Sequence, residues 1–352
     1  MKKDELHIEY LKSGISINTN TGCSLCCKYC IVDEFSDGID FKFSPKQVVE
    51  ELCAFPLYNE TAPIFINNRT DPLLPNVKKN TFTLLKMLDE KKLPNPKIIV
   101  SKLLVGEKWF EFLYNSKMPI FLFRTFSGMP SDIEKTSSFH HFEHIAMENQ
   151  ILQNVPNLYH VHYWRPIIPG INNQSETIYN IMNIAKDAFN CSVISGIRLT
   201  NNLYDTLVNF GANLSGWNGD TNHKYLQQDI YENILKQRDK LSSSYKIFRN
   251  TSCAISASLG KSDYNLNFYK GRFCANCENL ETCKMHKAKR IESTDIFGNI
   301  YYYINNEQEI VINSPILQEQ ISFIKHKFGL SVRANNILKN KSEMLLEQGK
   351  YR

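Results

Sequence analysis

The chain has 352 residues, of which 42% are hydrophobic. That is enough for a large α/β domain with a buried core plus a small appendage, and it excludes a largely disordered chain. A net charge of +5 is mild: it permits an anionic partner without demanding one, so nucleic acid is not excluded. No apolar run reaches the roughly 18 residues of a membrane helix, so no membrane partner is expected. The start, MKKDELHIEYLKSG, is charged and lacks the apolar stretch of a secretory signal. The expected compartment is the cytoplasm, where clustered cysteines bind metal more often than they form disulfides.

Apolar, β-rich runs recur along the first 200 residues: GISIN (14–18), APIFIN (62–67), KIIVS (97–101), PIFLFRT (119–125), YHVHYW (159–164) and SVISGIRL (192–199). Helical stretches lie between them. SPKQVVEELCAF places Ser44 as an N-cap and Pro45 at the first helical position. NTFTLLKMLDEKK (80–92) has apolar residues at helical spacing. SETIYNIMNIAKDAF is expected to start at a capping Ser175 and to bury Ile178, Ile181, Met182 and Ala185. Strand alternating with helix means parallel strands joined by crossovers, in a barrel or a doubly wound sheet, with ligand chemistry beyond the carboxyl ends of the strands.

After about residue 205 the pattern weakens, which suggests domains at 1–205 and 206–352. A glycine-rich loop (209–223), a helix (224–244), a cysteine-rich segment (253–290), a β-hairpin (IFGNIYYYI and QEIVI) and two helical stretches are expected in turn. The basic run CKMHKAKR (283–290) reads as a solvated face or as a phosphate contact.

Directly after the first strand-like run, NTGCSLCCKYC crowds four of the ten cysteines into residues 20–30. Cys23, Cys27 and Cys30 give C-x3-C-x2-C, with Tyr29 before the last thiol. Three thiolates can hold three irons of a 4Fe-4S cluster and leave the fourth iron open. A structural zinc site wants four protein ligands. A zinc knuckle with a distant fourth ligand, or free buried thiols, remain as alternatives. Cys26 is the odd thiol, read as a packing residue, a misassigned ligand or a neighbour that tunes the cluster.

C-x3-C-x2-C with an aromatic before the third Cys, after the first strand of a six-fold β/α repeat, resembles the radical S-adenosyl-L-methionine (SAM) enzymes over roughly residues 14–200. The resemblance implies a partial (β/α)6 TIM-like barrel, with Cys23, Cys27 and Cys30 holding a 4Fe-4S cluster. It implies that SAM chelates the open iron. One electron, from an external donor such as flavodoxin or ferredoxin, then splits the sulfonium into methionine and a 5′-deoxyadenosyl radical that abstracts hydrogen from a C–H bond. INNRTDP (66–72), with the helix and strand after it, and RPIIPGINNQSE (165–176) resemble one branch of that superfamily, the spore photoproduct lyase-like proteins.

At the strand ends, Thr70 and Asp71 are candidates for the SAM amino group, with a turn on Asp71-Pro72 as the plainer reading. Arg124, Thr125 and Ser127 are candidates for the SAM carboxylate or ribose, and Arg165 for the carboxylate. Gly170, Ser195 and Gly196 are candidate adenine contacts, Gly170 because glycine lets a backbone approach closely. His160 and His162 share a strand face and would meet substrate if that face is the barrel interior, as would Arg198. HHFEH (140–144) reads as ordinary surface histidines.

Cys274, Cys277 and Cys283 form C-x2-C-x5-C, and Cys253 makes a fourth thiol; His286 is a spare ligand if Cys253 points elsewhere. The set suits a second 4Fe-4S cluster first, then zinc, with free or catalytic thiols as the third reading, and it resembles part of the auxiliary-cluster extensions of radical SAM enzymes. The leading expectation is a radical SAM lyase acting on a small nucleoside- or nucleotide-type molecule, queuine lyase being one example. A peptide-modifying radical SAM enzyme is the second. Against it, only about 14 residues precede the first strand, with no winged-helix segment to capture a leader peptide. A zinc-stabilised, non-catalytic binding protein is the third.

Overall fold

The computed structural model describes residues 7–30, 40–41, 43–221, 223–270, 274, 277–289, 291, 302–305 and 308–338. The chain opens with an antiparallel hairpin, β1 (Ile8–Leu11) and β2 (Gly14–Ile17). β1 is an addition to the six expected strands. From β2 onward the strands are parallel: β3 (Ile64–Ile66), β4 (Lys97–Ser101), β5 (Ile120–Thr125), β6 (Leu158–Ile167) and β7 (Cys191–Arg198). Each pairs with the next in chain order. A doubly wound sheet needs a reversal of strand order, and there is none among the described strands. The fold is therefore a singly wound, partial (β/α)6 TIM-like barrel.

The crossovers run through α1 (Pro45–Cys53), α2 (Lys78–Glu90), α3 (Phe110–Asn115), α4 (Phe139–Ile151) and α5 (Ser175–Ala188). Their starts follow local chemistry. The Ser44 hydroxyl accepts from Gln47 N at 3.2 Å, ahead of Pro45. Ser138 caps α4 through His141 N at 3.1 Å. Ser175 is the first residue inside α5, and the cap position falls to Gln174, which makes no side-chain bond there. The expected stripe Ile178, Ile181, Met182 and Ala185 is buried; each large side chain contributes about 1.5–3 kcal/mol by leaving water.

Strand parity sorts the two faces of the sheet. Trp164 and Ile194 face the helices, packed with Phe142, Ile178 and Ile181. Phe65, Ile98, Phe121, Phe123, Val161 and Val193 fill the barrel interior. Beyond β7 come α6 (Asn201–Asn209), β8 (Lys224–Tyr225), α7 (Gln228–Leu241), β9 (Lys246–Phe248) and α8 (Thr251–Ser258). The helix expected over 224–244 thus begins only at Gln228, because Lys224 and Tyr225 pair antiparallel with Arg198 and Ile197. β9 runs parallel to the first half of β7. Ala254 and Ile255 of α8 insert among the interior residues.

The short helix α9 (Leu280–Lys284) follows. The expected hairpin forms as β10 (Tyr302–Asn305) and β11 (Glu309–Ile312), with β12 (Ser331–Ala334) parallel to β11. Between them α10 (Gln318–Phe328) packs on β1, and Ile310, Ile312 and Ile321 share one core with Ile15, Ile17 and Ile64. The second closing helix and Arg290 of the basic run lie outside the described residues. Among the described residues no helix is long and apolar enough to cross a membrane.

Candidate active site at the cysteine loop

The first cysteine loop leaves the carboxyl end of β2 and folds over the edge of the barrel. Backbone bonds hold it: Gly22 N to Arg69 O at 3.0 Å, Lys28 N to Ile133 O at 3.0 Å and Cys30 N to Cys27 O at 2.9 Å. Cys23, Cys27 and Cys30 line one cavity of about 190 Å³, together with Thr70, Asp71 and Lys102. Burial pushes the Cys23 thiol up and the Cys27 thiol to about 12, the latter against the pull of the Lys102 cation. Cys26 is exposed, and its thiol donates weakly to Ser24 O at 3.5 Å.

Among the described residues no three His, Cys, Asp or Glu side chains converge so that they could hold a metal ion. Zinc with bonds of about 2.3 Å in a tetrahedron needs thiols only about 3.8 Å apart. The three thiols instead surround a space of multi-atom size, and the Thr70 hydroxyl on its wall is buried with no partner. Donor chemistry, cavity size and the orphaned hydroxyl fit an iron–sulfur cluster with an organic ligand better than a lone ion.

Asp71 lines the cavity, but its carboxylate is largely spent on the fold. It accepts from Leu73 N at 2.9 Å, Ser101 Oγ at 2.6 Å and Lys102 N at 2.8 Å. It thereby fixes the end of β4 and aims Lys102. The Lys102 ammonium reaches Glu134 at 2.9 Å and the Tyr29 hydroxyl at 2.9 Å, and Tyr29 also donates to Glu134. Glu134 is 1% exposed. The network ties the loop between Cys27 and Cys30 to the barrel edge. Sequence reading missed Lys102 and Glu134. Lys102 directly after KIIVS was a usable signal; Glu134 carried none.

The remaining candidates divide. Thr125 lines the cavity; Ser195 is buried in β7, two residues after the interior Val193, but does not line that cavity. Arg165 lies over the Tyr163 ring, 3.6 Å from its centroid. Ser127 is buried, 3.5 Å from Glu134. Arg198 ends β7 with Nε donating to Thr221 O at 2.8 Å. Arg124 points the other way: it is buried under α4 and paired with Glu148 at 2.6 Å, so it is withdrawn as a cofactor contact.

His160 and His162 are likewise corrected, because even positions of β6 face the helices. The His162 ring packs against Phe142, Trp164 and Phe189. Its Nε2–H donates to Phe126 O at 3.0 Å, and its Nδ1 accepts from Ser192 at 2.9 Å, whose hydroxyl oxygen accepts from Tyr245 at 2.9 Å. Burial holds both rings down to about 4. Two glycines serve the chain itself. A Cβ on Gly196 would lie 1.6 Å from Tyr225 O, and one on Gly170 would lie 2.7 Å from Gly211 O. The close approach that each permits is taken by the backbone of β8 and of residues 211–213.

Cys253, Cys274, Cys277 and Cys283 line a second, smaller cavity of about 10 Å³. Asp263 N and Asn279 Nδ2 point at Cys283 Sγ, at 3.4 and 3.6 Å. Burial pushes the Cys253 and Cys283 thiols up. Cys253 lines this cavity, so the condition for His286 as a spare ligand is not met; its Nε2–H donates to Gly329 O at 2.8 Å, and Ser262 bonds Nδ1 at 3.0 Å. The site lies at the amino ends of the strands. Lys246, opposite Cys191 at the start of β7, reaches Glu278 at 3.9 Å, and Tyr264 bonds Ser13 O just before β2. The packed barrel interior therefore stands between the two cysteine groups.

No family model and no curated protein matches the sequence. Among solved structures, the chain is similar to a spore photoproduct lyase mutant with dinucleoside spore photoproduct, at TM-score 0.49 and 11% identity over 70% of this chain and 79% of that one. It is also similar to a spore photoproduct lyase mutant with bound AdoMet and dinucleoside spore photoproduct, at TM-score 0.47 and 11% identity over 70% and 79%. A third is Streptococcus suis SuiB, at TM-score 0.45 and 11% identity over 72% of this chain and 54% of that one.

Proposed function

We propose that the chain is a radical SAM enzyme, with Cys23, Cys27 and Cys30 as the ligands of a 4Fe-4S cluster whose fourth iron takes SAM. The observation that carries this reading is the three-thiol loop at the carboxyl end of the first parallel strand, opening on a cavity with an unpartnered buried hydroxyl at Thr70. Bound there, cluster and cofactor would supply radical chemistry for hydrogen abstraction from a C–H bond. The chain's own part is to bind, orient and exclude water. Thr70 offers an acceptor to the cofactor's amino group, and Lys102 offers its remaining N–H to the carboxylate. Asp71 and Glu134 hold Lys102 in place. Thr125 and Ser195 line the route toward the interior.

The NRTDP segment and the P-x-x-P-G-x-N segment at 166–172 support a lyase acting on a small nucleoside- or nucleotide-type substrate, with electrons from an external carrier such as flavodoxin or ferredoxin. Cys253, Cys274, Cys277 and Cys283 around one small cavity support a second metal group held by protein thiols, either a cluster or zinc; like the first three thiols, they do not close on a single ion as they stand. That set also favours the second reading, a peptide-modifying radical SAM enzyme. The test is anaerobic. Dithionite plus SAM is expected to yield 5′-deoxyadenosine, and Cys27→Ala to abolish it. A colourless protein that leaves SAM intact would refute the reading.

A further inference from the structure

Three cations stand together on the carboxyl edge of the barrel. Arg198 ends β7, and Lys224 opens β8 directly opposite it in register. Like charges at such paired positions repel. Arg165 on β6 is held flat by the Tyr163 ring, and Tyr163 pairs with Thr125 of the cysteine cavity. The three positions thus lie on the first, second and third strands beyond Thr125, about 5, 10 and 15 Å away across the sheet. Among the described residues none of them meets a carboxylate. The only other bond is Arg198 Nε to Thr221 O, so the outer guanidinium nitrogens stay available. Lys224 is exposed as a residue, but its ammonium lies among neighbouring groups and is held down to about 7, by desolvation and then by Arg165 and Arg198.

We infer that Arg165, Arg198 and Lys224 form an oxyanion seat that grips a terminal phosphate of the substrate. A stacked guanidinium offers two parallel N–H groups to phosphate oxygens, and a dianion relieves the repulsion among three cations. The inference rests on the enzymatic reading of the neighbouring cavity and narrows its substrate class to phosphorylated small molecules.

The test is titration of inorganic phosphate into the full, anaerobically purified chain, followed by calorimetry. One saturable site is expected, unaffected by saturating SAM and at least tenfold weaker in Arg165→Gln and in Lys224→Gln. Lys224 is exposed, so its variant covers a folding failure of the first. A nucleoside 5′-monophosphate is expected to displace phosphate better than a short phosphodiester oligonucleotide does. The inference is overturned by absence of saturable binding, by unchanged binding in both variants, by displacement with SAM or an equal concentration of acetate, or by a stronger oligonucleotide. None of these readouts needs iron or 5′-deoxyadenosine. A chain that binds phosphate but holds no cluster would sink the enzymatic reading alone.

Discussion

Replacing Glu134 by alanine is expected to destabilise the protein by about 3–5 kcal/mol, the range for breaking a buried ion pair. The carboxylate is 1% exposed, and it takes the Lys102 ammonium at 2.9 Å, the Tyr29 hydroxyl and, more weakly, Thr136 at 3.3 Å. Without it the Lys102 charge, on a side chain only 13% exposed, keeps just the Tyr29 oxygen. Glu134→Gln retains an acceptor for Tyr29 and should cost less, about 1.5–3 kcal/mol. Removing both charges in Lys102→Met/Glu134→Met should be milder than Glu134→Ala, because no unpaired charge then stays buried. Urea unfolding of anaerobic protein, arranged as a double-mutant cycle, gives the coupling directly. A loss below about 1 kcal/mol for Glu134→Ala, or additive single and double effects, would show that the network does not hold the loop.

Thr70→Val removes a buried cavity hydroxyl that has no partner; SAM affinity should fall about tenfold with iron content unchanged, by equilibrium binding. Gly196→Ala places a methyl 1.6 Å from Tyr225 O, so β8 must shift; a loss of about 1–3 kcal/mol or more is expected in thermal or urea unfolding. The buried His162 has its pKa lowered to about 4 against 6.5 when unfolded, so unfolding takes up a proton between those values. Its contribution is fully present above pH 6.5 and is lost as pH falls through 4, with a slope of about 1.4 kcal/mol per pH unit. His162→Phe should flatten the pH dependence of urea unfolding between pH 6.5 and 5 by that amount.

The strand order, the crossover helices and the placement of the cysteine loop were legible because apolar runs and caps are local signals. Which way a strand residue points was not. The runs at 119–125 and 159–164 are buried on both faces, so no alternation marks the interior: Arg124 was read as reaching the cofactor, and which face His160 and His162 share was left open. Gly170 was read as letting backbone approach a ligand and Gly196 as a backbone contact to one, whereas each makes room for distant backbone that no local pattern announces. Glu134 sits in a polar loop whose partners lie 32 and 105 residues away. The cationic seat depends on Lys224 pairing with Arg198, in a stretch that reads as helix when taken alone.

The most direct measurement is the metal content of anaerobically purified wild type beside the Cys23→Ala/Cys27→Ala/Cys30→Ala variant. The account predicts that the variant loses about four irons and matching sulfide per chain while keeping whatever the second cysteine group holds. Stoichiometric zinc at the first loop, or iron content indifferent to the three substitutions, would contradict it.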